Sequence, residues 1–281
     1  MATTASATAT APERARHSIE AQDISAGYGG THIIEELSLR IEAGRITALV
    51  GPNACGKSTL LKSIARLLPL ASGSVLLEGA DIHALPTREV ARRLGVLPQT
   101  PIAPESITVG DLVWRGRHPH RRFGRRRTEA DDTVIAEALL ATGTAELVDR
   151  PVDQLSGGQR QRVWIALALA QDTPTLLLDE PTTYLDIAHQ IEVMDLLADL
   201  NERTGKTIVL VSHDLNQAAL YAATIVALRD GRVVRQGPPA EVLDARTVAE
   251  VFGLECVVVT HPRTDRPQIF PLGRRHLTQE R

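Results

Sequence analysis

Nine consecutive residues, Gly51-Pro52-Asn53-Ala54-Cys55-Gly56-Lys57-Ser58-Thr59, bring together the groups needed to hold a phosphate chain. Their spacing is G-x-x-x-x-G-K-S. In such a loop, backbone N–H groups and a helix N-terminus point at phosphate oxygens. Lys57 adds a positive charge, and the Ser58 hydroxyl can ligate Mg²⁺. A second polar cluster, Asp179-Glu180, closes the apolar run from Pro174 to Leu178. Asp179 can hold Mg²⁺ directly or through water, and Glu180 can polarise a water for attack on a terminal phosphate. A third cluster, Ser212-His213-Asp214, follows the apolar run Thr207 to Val211. Leu155-Ser156-Gly157-Gly158-Gln159 opens a helix with a good N-cap and bare glycine amides, a second terminus suited to an anion. It has no lysine of its own, so it invites completion of a site on another copy of the chain.

Periodicity supplies the elements that must position these groups. Ile46 to Val50 reads as a buried strand, and Leu60, Leu61, Ile64, Leu67 and Leu68 recur at helical spacing after the loop. Two strand-like runs between Ile19 and Ile41 flank the turn Gly27-Tyr28-Gly29-Gly30. Ser72 to Gly79 reads as a strand, Pro86 to Leu94 as a short helix, and Gly95 to Gln99 as another strand. From about Thr100 to Gln171 the pattern is helical, with apolar faces at Val109 to Trp114, Asp132 to Ala141 and Gln159 to Ala170. A helix is expected from about Asp186 to Thr204, and the stretch from Ala222 to Gly273 carries short strands and helices. Acids and other polar groups at the carboxyl ends of parallel strands fall where α/β sheets bind ligands.

The 281 residues, 43% of them apolar, are ample for a large α/β core. A net charge of −3 does not suggest nucleic-acid binding. The two cysteines, Cys55 and Cys256, lie far apart and form neither a disulfide framework nor a zinc cluster pattern. No apolar run approaches the roughly 20 residues that span a bilayer. The Ala/Thr-rich start, residues 1–16, lacks a continuous apolar segment and reads as a disordered tail. A basic stretch holds Arg115, Arg117, Arg121, Arg122, Arg125, Arg126 and Arg127 with His118 and His120. Nucleic-acid contact, a His-Pro-His metal site and a solvated, membrane-facing surface all compete for it. One interleaved aromatic, Phe123, and no acidic or thiol neighbours for the histidines favour the surface.

Taken together, these stretches resemble the nucleotide-binding subunit of an ATP-binding cassette (ABC) transporter, over about Ile19 to Gln236. Gly51 to Thr59 matches the Walker A loop, Leu176 to Glu180 the Walker B strand and Leu155 to Gln159 the LSGGQ signature. Gln99 matches the Q-loop, His213 the switch histidine, Asp186 the D-loop, and Tyr28 the position that stacks on adenine. The resemblance implies a P-loop ATPase with a mainly parallel core sheet, an N-terminal antiparallel β edge and an inserted helical subdomain. Residues 17–99 and 171–281 would form the core and 100–170 the subdomain. It further implies ATP and Mg²⁺ sandwiched in a head-to-tail homodimer, Walker A of one copy against the signature of the other. Ser156 and Gly158 would then act in trans, with Gly157 and Gln159 beside them. Glu180 would be the general base, and His213 would contact the γ-phosphate. Gln99 would sense Mg²⁺, held by Ser58 and Asp179, and the attacking water.

Finer features resemble the bacterial importers of ferric siderophores, haem and cobalamin: Thr182 to Gln190, Gly116-Arg117-His118-Pro119-His120, and the tail around Val251 to Leu254 and Pro271 to Gly273. His118 stands where tyrosine is usual. The expected partners are two integral-membrane permease subunits, an extracytoplasmic binding protein indirectly, and no nucleic acid. The expected place is the cytoplasmic face of the membrane. Siderophore import leads, with haem or cobalamin import and a soluble ABC ATPase on a non-transport scaffold as alternatives. Ala54 replaces the usual loop glycine; if the loop needs positive φ there, it costs on the order of 1 kcal/mol and modestly weakens ATP binding. Cys55, beside Lys57 and a helix N-terminus, is either a reactive thiol or a buried structural one.

Overall fold

The computed structural model describes residues 17–121, 128–183 and 185–273. The tail at 1–16, the basic-stretch residues Arg122, Phe123, Arg125, Arg126 and Arg127, and Tyr184 lie outside them. The chain opens with an antiparallel pair, β1 (His17–Tyr28) and β2 (Thr31–Glu42), then β3 (Ile46–Val50) leads through the glycine loop into α1 (Lys57–Ile64). β4 (Ser72–Leu77) and β5 (Ala80–Asp81) join the first pair in a four-stranded sheet ordered β2-β1-β4-β5, the expected antiparallel β region near the N-terminus. Next come α2 (Thr87–Arg93) and β6 (Leu94–Leu97). Three helices follow, α3 (Val109–Trp114), α4 (Glu129–Ala141) and α5 (Gly157–Ala170). β7 (Thr175–Leu178), α6 (Ile187–Thr204), β8 (Thr207–Val211), α7 (Leu215–Tyr221) and β9 (Thr224–Arg229) continue the α/β alternation. β10 (Arg232–Gly237), α8 (Pro239–Val242), α9 (Ala245–Phe252) and a hairpin of β11 (Cys256–Thr260) and β12 (Pro267–Pro271) complete the order.

The central sheet runs β10-β9-β3-β8-β7-β6, parallel throughout except for β10. Its inner strands are apolar along their whole length because both faces are covered. Leu49, Leu177, Val209 and Val211 face α1 and the antiparallel sheet. Ala48, Val50, Leu176, Leu178 and Leu210 face the helical side, where Val113, Ile135 and Ile165 pack. Caps fix where the helices begin. Thr128 and Asp131 form a capping box that starts α4 at Glu129, three residues before the apolar face of that helix becomes legible. Asp186 caps α6 by accepting from the His189 N–H at 2.9 Å.

The basic stretch is not the uniform solvated face expected from its charges. Residues 115–120 form a 3₁₀ segment against α5, and Arg117 is 7% exposed. Its Nε donates to Asp131 Oδ1 at 3.0 Å and Nη1 to the Ala170 carbonyl at 3.0 Å. Asp131 lies fourteen positions away and Ala170 fifty-three, beyond the reach of a local charge pattern.

In the phosphate loop, Gly51 has φ 156°, and a Cβ there would lie 2.3 Å from the Leu228 carbonyl oxygen and 2.7 Å from Cys55 Sγ. Only glycine lets the loop settle against β9. Ala54 has φ 62°, so the left-handed conformation on which its cost depends is present. Ala54 adopts this conformation as part of the folded loop between β3 and α1, so its strain bears on the stability of the fold. Glycine would relieve about 1 kcal/mol of strain but loosen the unfolded chain by about 0.4–1 kcal/mol. Ala54→Gly should therefore leave ATP affinity within about twofold and raise Tm by no more than about 2 °C. Nucleotide titration and thermal melting check this; a fivefold gain in affinity or a fall in Tm contradicts it.

Candidate functional site

Parallel register brings the polar clusters to one edge. Leu97 pairs with Leu178, Leu178 with Leu210, and Leu49 with Val211, so the carboxyl ends of β6, β7, β8 and β3 are nearly flush. Gln99 and Glu180 each lie two residues past a paired leucine. Gln99 Nε2 donates to Glu180 Oε2 at 2.6 Å. His213 Nε2 lies 2.6 Å from Glu180 Oε1, and Thr183 Oγ1 donates to Oε2 at 3.0 Å. Burial pushes the Glu180 pKa up, but bonds from His213, Thr183 and Gln99 outweigh it and hold the carboxyl below its ordinary range. The Glu180 backbone is left-handed, with φ 55°. Such a conformation costs of order 1 kcal/mol and persists where its surroundings fix it; here three side chains grip the carboxylate.

Asp179 points the other way along the strand and is 3% exposed. Ser58 Oγ donates to its Oδ1 at 3.0 Å. Burial raises the Asp179 pKa, and the Ser58 bond offsets that only in part. A hydroxyl and a carboxylate side by side are oxygen ligands of the kind Mg²⁺ takes when phosphates supply others. Among the described residues, no group of three or more His, Cys, Asp or Glu side chains could hold a metal ion. Lys57, also buried, donates from Nζ to the carbonyls of Gly51 at 2.9 Å and Pro52 at 2.8 Å, inside the curl of the loop.

A cleft of about 190 Å³ opens here, lined by Asn53, Ala54, Gly56, Lys57, Ser58, Thr59, Glu180 and His213, with Ile33 from β2. Most of the residues singled out by sequence therefore meet at one place. Ile33 and Thr183 were not among them; each is an ordinary residue whose role comes from packing. Tyr28, 48% exposed, sits at the end of β1 opposite Thr31 and does not line the cleft. Neither do Ser156, Gly157, Gly158 and Gln159. They start α5, where Ser156 Oγ accepts from the Gln159 N–H at 3.3 Å and Gln159 Oε1 accepts from the Ser156 N–H at 3.2 Å. Asp186, exposed at the start of α6, accepts from His189 through backbone N–H and ring Nδ1, and these bonds lower its pKa. A larger groove of about 980 Å³, lined by Asp23, Arg40, Arg45 and Gln236 among others, lies away from all of these groups.

Of the two readings of Cys55, a reactive thiol or a buried structural one, the structure favours the buried one. It is 3% exposed under the loop, and burial raises its pKa despite Lys57 nearby. A raised pKa leaves little thiolate at neutral pH, and the packing excludes reagents. Iodoacetamide at pH 7.5 should leave Cys55 unmodified in the folded protein and label it fully in denaturant, read by peptide mass spectrometry. Labelling of the native protein with loss of ATPase activity would contradict this.

The sequence pattern of the family described as "ABC transporter" matches residues 34–183. The achromobactin transport ATP-binding protein CbrD of Dickeya dadantii (strain 3937) is 51% identical over 256 residues, 91% of this chain and 95% of that protein. The ferric enterobactin transport ATP-binding protein FepC of Escherichia coli (strain K12) is 46% identical over 256 residues, 91% of this chain and 94% of that one. Among solved structures, the bacterial ABC transporter cassette MJ0796, determined as a dimer, superposes with a TM-score of 0.70 at 30% identity. The match covers 78% of this chain and 98% of that chain. With a phosphate loop, a buried hydroxyl–carboxylate pair and a gripped glutamate assembled at one sheet edge, and with relatives of this kind along nearly its whole length, the chain belongs to the ABC transporter family as one of its ATP-hydrolysing subunits.

Proposed function

We propose that this subunit energises import of a ferric siderophore by hydrolysing ATP between two head-to-tail copies of the chain. The observation that carries the dimer is the division of the site. The cleft holds the phosphate loop, the Ser58–Asp179 pair and Glu180, while the Ser156 terminus is exposed outside it. At about 190 Å³ the cleft is smaller than the roughly 300–1,000 Å³ that encloses a small molecule. A second copy would bring its own Ser156, Gly157 and Gly158 over the phosphates. The Ser156 hydroxyl oxygen accepts its capping bond, so its proton is free to donate outward.

Within that frame the loop amides and Lys57 would bind the β- and γ-phosphates, and Ser58 and Asp179 would hold Mg²⁺. The ion neutralises phosphate charge when bound. Glu180, ionised because its pKa is lowered, takes a proton as water attacks the γ-phosphorus and the bond to the β-phosphate oxygen breaks. His213 orients Glu180 and reaches the γ-phosphate, and Gln99 ties the same carboxylate to the chain entering the helical region. Residues 100–170 act as a helical lobe. An apolar groove of about 420 Å³ runs between that lobe and the core, lined by Leu67, Val90, Gly116, Pro119 and Leu167 among others. It would receive a segment of each of two permease subunits on the cytoplasmic face of the membrane, an extracytoplasmic binding protein delivering the cargo. Among the described residues no helix is long and apolar enough to cross a membrane. The siderophore assignment rests on the likeness to CbrD and FepC, ATP-binding proteins of achromobactin and ferric enterobactin transport.

Glu180→Gln keeps size and the hydrogen-bond acceptor but removes the base. It should lower kcat by about 10²–10⁴-fold while ATP affinity stays within about twofold. Because the folded pKa of Glu180 lies below its ordinary value near 4.3, this carboxylate stays ionised from about pH 6 to 8 and should impose no acid limb there. In cells lacking the chain, radio-iron siderophore uptake should be restored by the parent and not by Glu180→Gln at equal expression. Uptake independent of the chain would overturn the cargo assignment, and haem or cobalamin uptake would then be measured. An unchanged kcat would overturn the role of Glu180.

A further inference from the structure

Arg117 is a buried charge that the hydrolytic site does not touch. Its guanidinium makes three links. Nε bonds Asp131 Oδ1 at 3.0 Å, Nη1 bonds the Ala170 carbonyl at 3.0 Å, and Nη1 lies 3.9 Å from Asp172 Oδ2. Asp131 is itself the N3 residue of the box that starts α4. Burial raises the Asp131 pKa, yet the Thr128 and Arg117 bonds outweigh this and hold it low, so the pair is charged. Ala170 is the last residue of α5. One planar fork thus joins the first turn of α4 to the last turn of α5, a bidentate geometry that lysine cannot reproduce.

The neighbours of Arg117 fasten the same turn. His120 Nε2 bonds the Gln171 carbonyl at 2.7 Å, and Lys206, at the start of β8, reaches the Thr173 carbonyl at 2.7 Å and Asp172 at 3.5 Å. Arg88 and Arg92 of α2 both donate to the Pro119 carbonyl at 2.9 Å. Gly116 permits the approach, because a Cβ there would lie 2.6 Å from the Leu167 carbonyl oxygen. The end of α5 is therefore anchored to the core, to α4 and to α2 through residues 115–120.

The other end of α5 is the Ser156 terminus. A helix of 14 residues is about 21 Å long, so a swing of about 5° at the anchored end moves Ser156 by about 1.8 Å. Misplacement of a phosphate-contacting group by about 1 Å can cost about 10²-fold in rate. We propose that Arg117 is a positioning residue for ATP hydrolysis: by fixing the carboxyl end of α5 against α4, it sets where the signature terminus meets the nucleotide held by a second copy. The inference rests on the reading of Ser156 as acting in trans. It separates binding from hydrolysis, because the phosphate loop of the same chain is untouched.

The test uses the full chain with Arg117→Met, Arg117→Lys, Ser156→Ala and each Arg117 variant combined with Ser156→Ala. ATPase kcat at saturating ATP, affinity for a fluorescent ATP analogue and Tm are measured for each. Arg117→Met should lower kcat by about 10–100-fold with affinity within about twofold, Arg117→Lys falling between it and the parent. A double variant should be no slower than the slower of its two single variants, because both changes remove one contribution. Should Arg117→Met fail to fold, Arg117→Lys carries the same comparison. Unchanged kcat, affinity falling in step with kcat, or multiplying effects in the doubles would each overturn the proposal. If Ser156→Ala alone leaves kcat unchanged while Arg117→Met lowers it, the trans reading of Ser156 fails and this inference fails with it. If Ser156→Ala lowers kcat and the Arg117 variants do not, only the positioning role fails.

Discussion

The site depends on register between parallel strands. Gln99, Glu180 and His213 come from three different crossovers, yet their side chains meet because β6, β7 and β8 end in step. One residue of slip in β7 would move Glu180 by about 3.3 Å and turn its side chain to the opposite face. What opposes the slip is the polar end of the run: Leu177 packs toward α1 and the antiparallel sheet and Leu176 and Leu178 toward the helices, and a shift would draw Asp179 into that apolar packing or take a leucine out of it. The boundary between the apolar run and its polar end therefore decides which side chains reach the edge. The glycine loop depends on the same sheet, since it leaves β3 and rests on the Leu228 carbonyl of β9.

The alternation of β7 also explains why two adjacent acids differ. Asp179 is 3% exposed with Ser58 as its bonding partner, and burial dominates, so its pKa rises. Glu180 emerges on the other side among His213, Thr183 and Gln99, whose bonds overcome a smaller burial effect, so its pKa falls. Neighbouring carboxyl groups whose environments push them apart take different tasks. Here the buried one sits with a hydroxyl, in a position to share a cation. The gripped one remains an anion at a place fixed by His213, Thr183 and Gln99. Just past the end of β7 the Glu180 backbone is left-handed, with φ 55°.

Legibility in the sequence tracks how local each cause is. β3, β7 and β8 are readable because strands covered on both faces must be apolar throughout, and the phosphate loop because its chemistry occupies consecutive positions. The α4 start was misplaced by three residues because Thr128 and Asp131 are polar and leave no apolar period to count. Ile33 carries no signal, since an isoleucine in a hairpin is commonplace, and Thr183 is legible only as part of the Thr182 to Gln190 resemblance, not for its bond to Glu180. Charge and reactivity were the least legible. Arg117 looks solvated in a run of arginines, and Cys55 looks activated beside Lys57, yet both are buried by segments far away in sequence. Burial is a pairwise property of the fold, and a run of residue types does not contain it.

The division of the cassette into two unequal ends of one apparatus follows from the same geometry. The phosphate loop and the acids belong to the rigid parallel sheet, where register fixes them. The Ser156 terminus belongs to α5, whose far end is held to the core by side chains rather than by a ladder of strand bonds. Nearer that terminus, Gln161 Nε2 donates to the Pro181 carbonyl just past β7 at 2.7 Å, Arg162 pairs with Glu192 of α6, and Val163 and Ile165 pack into the core, so α5 is referred to the sheet edge at one end and to the far turn at the other. Ser156 lies outside the cleft of its own chain, and on the reading proposed above it would meet a nucleotide on a second copy only where the packing of α5 puts it. If hydrolysis takes place between two copies as proposed, it requires agreement between groups on different chains, and the bonds at the ends of α5 then bear on it as well as those at the phosphates.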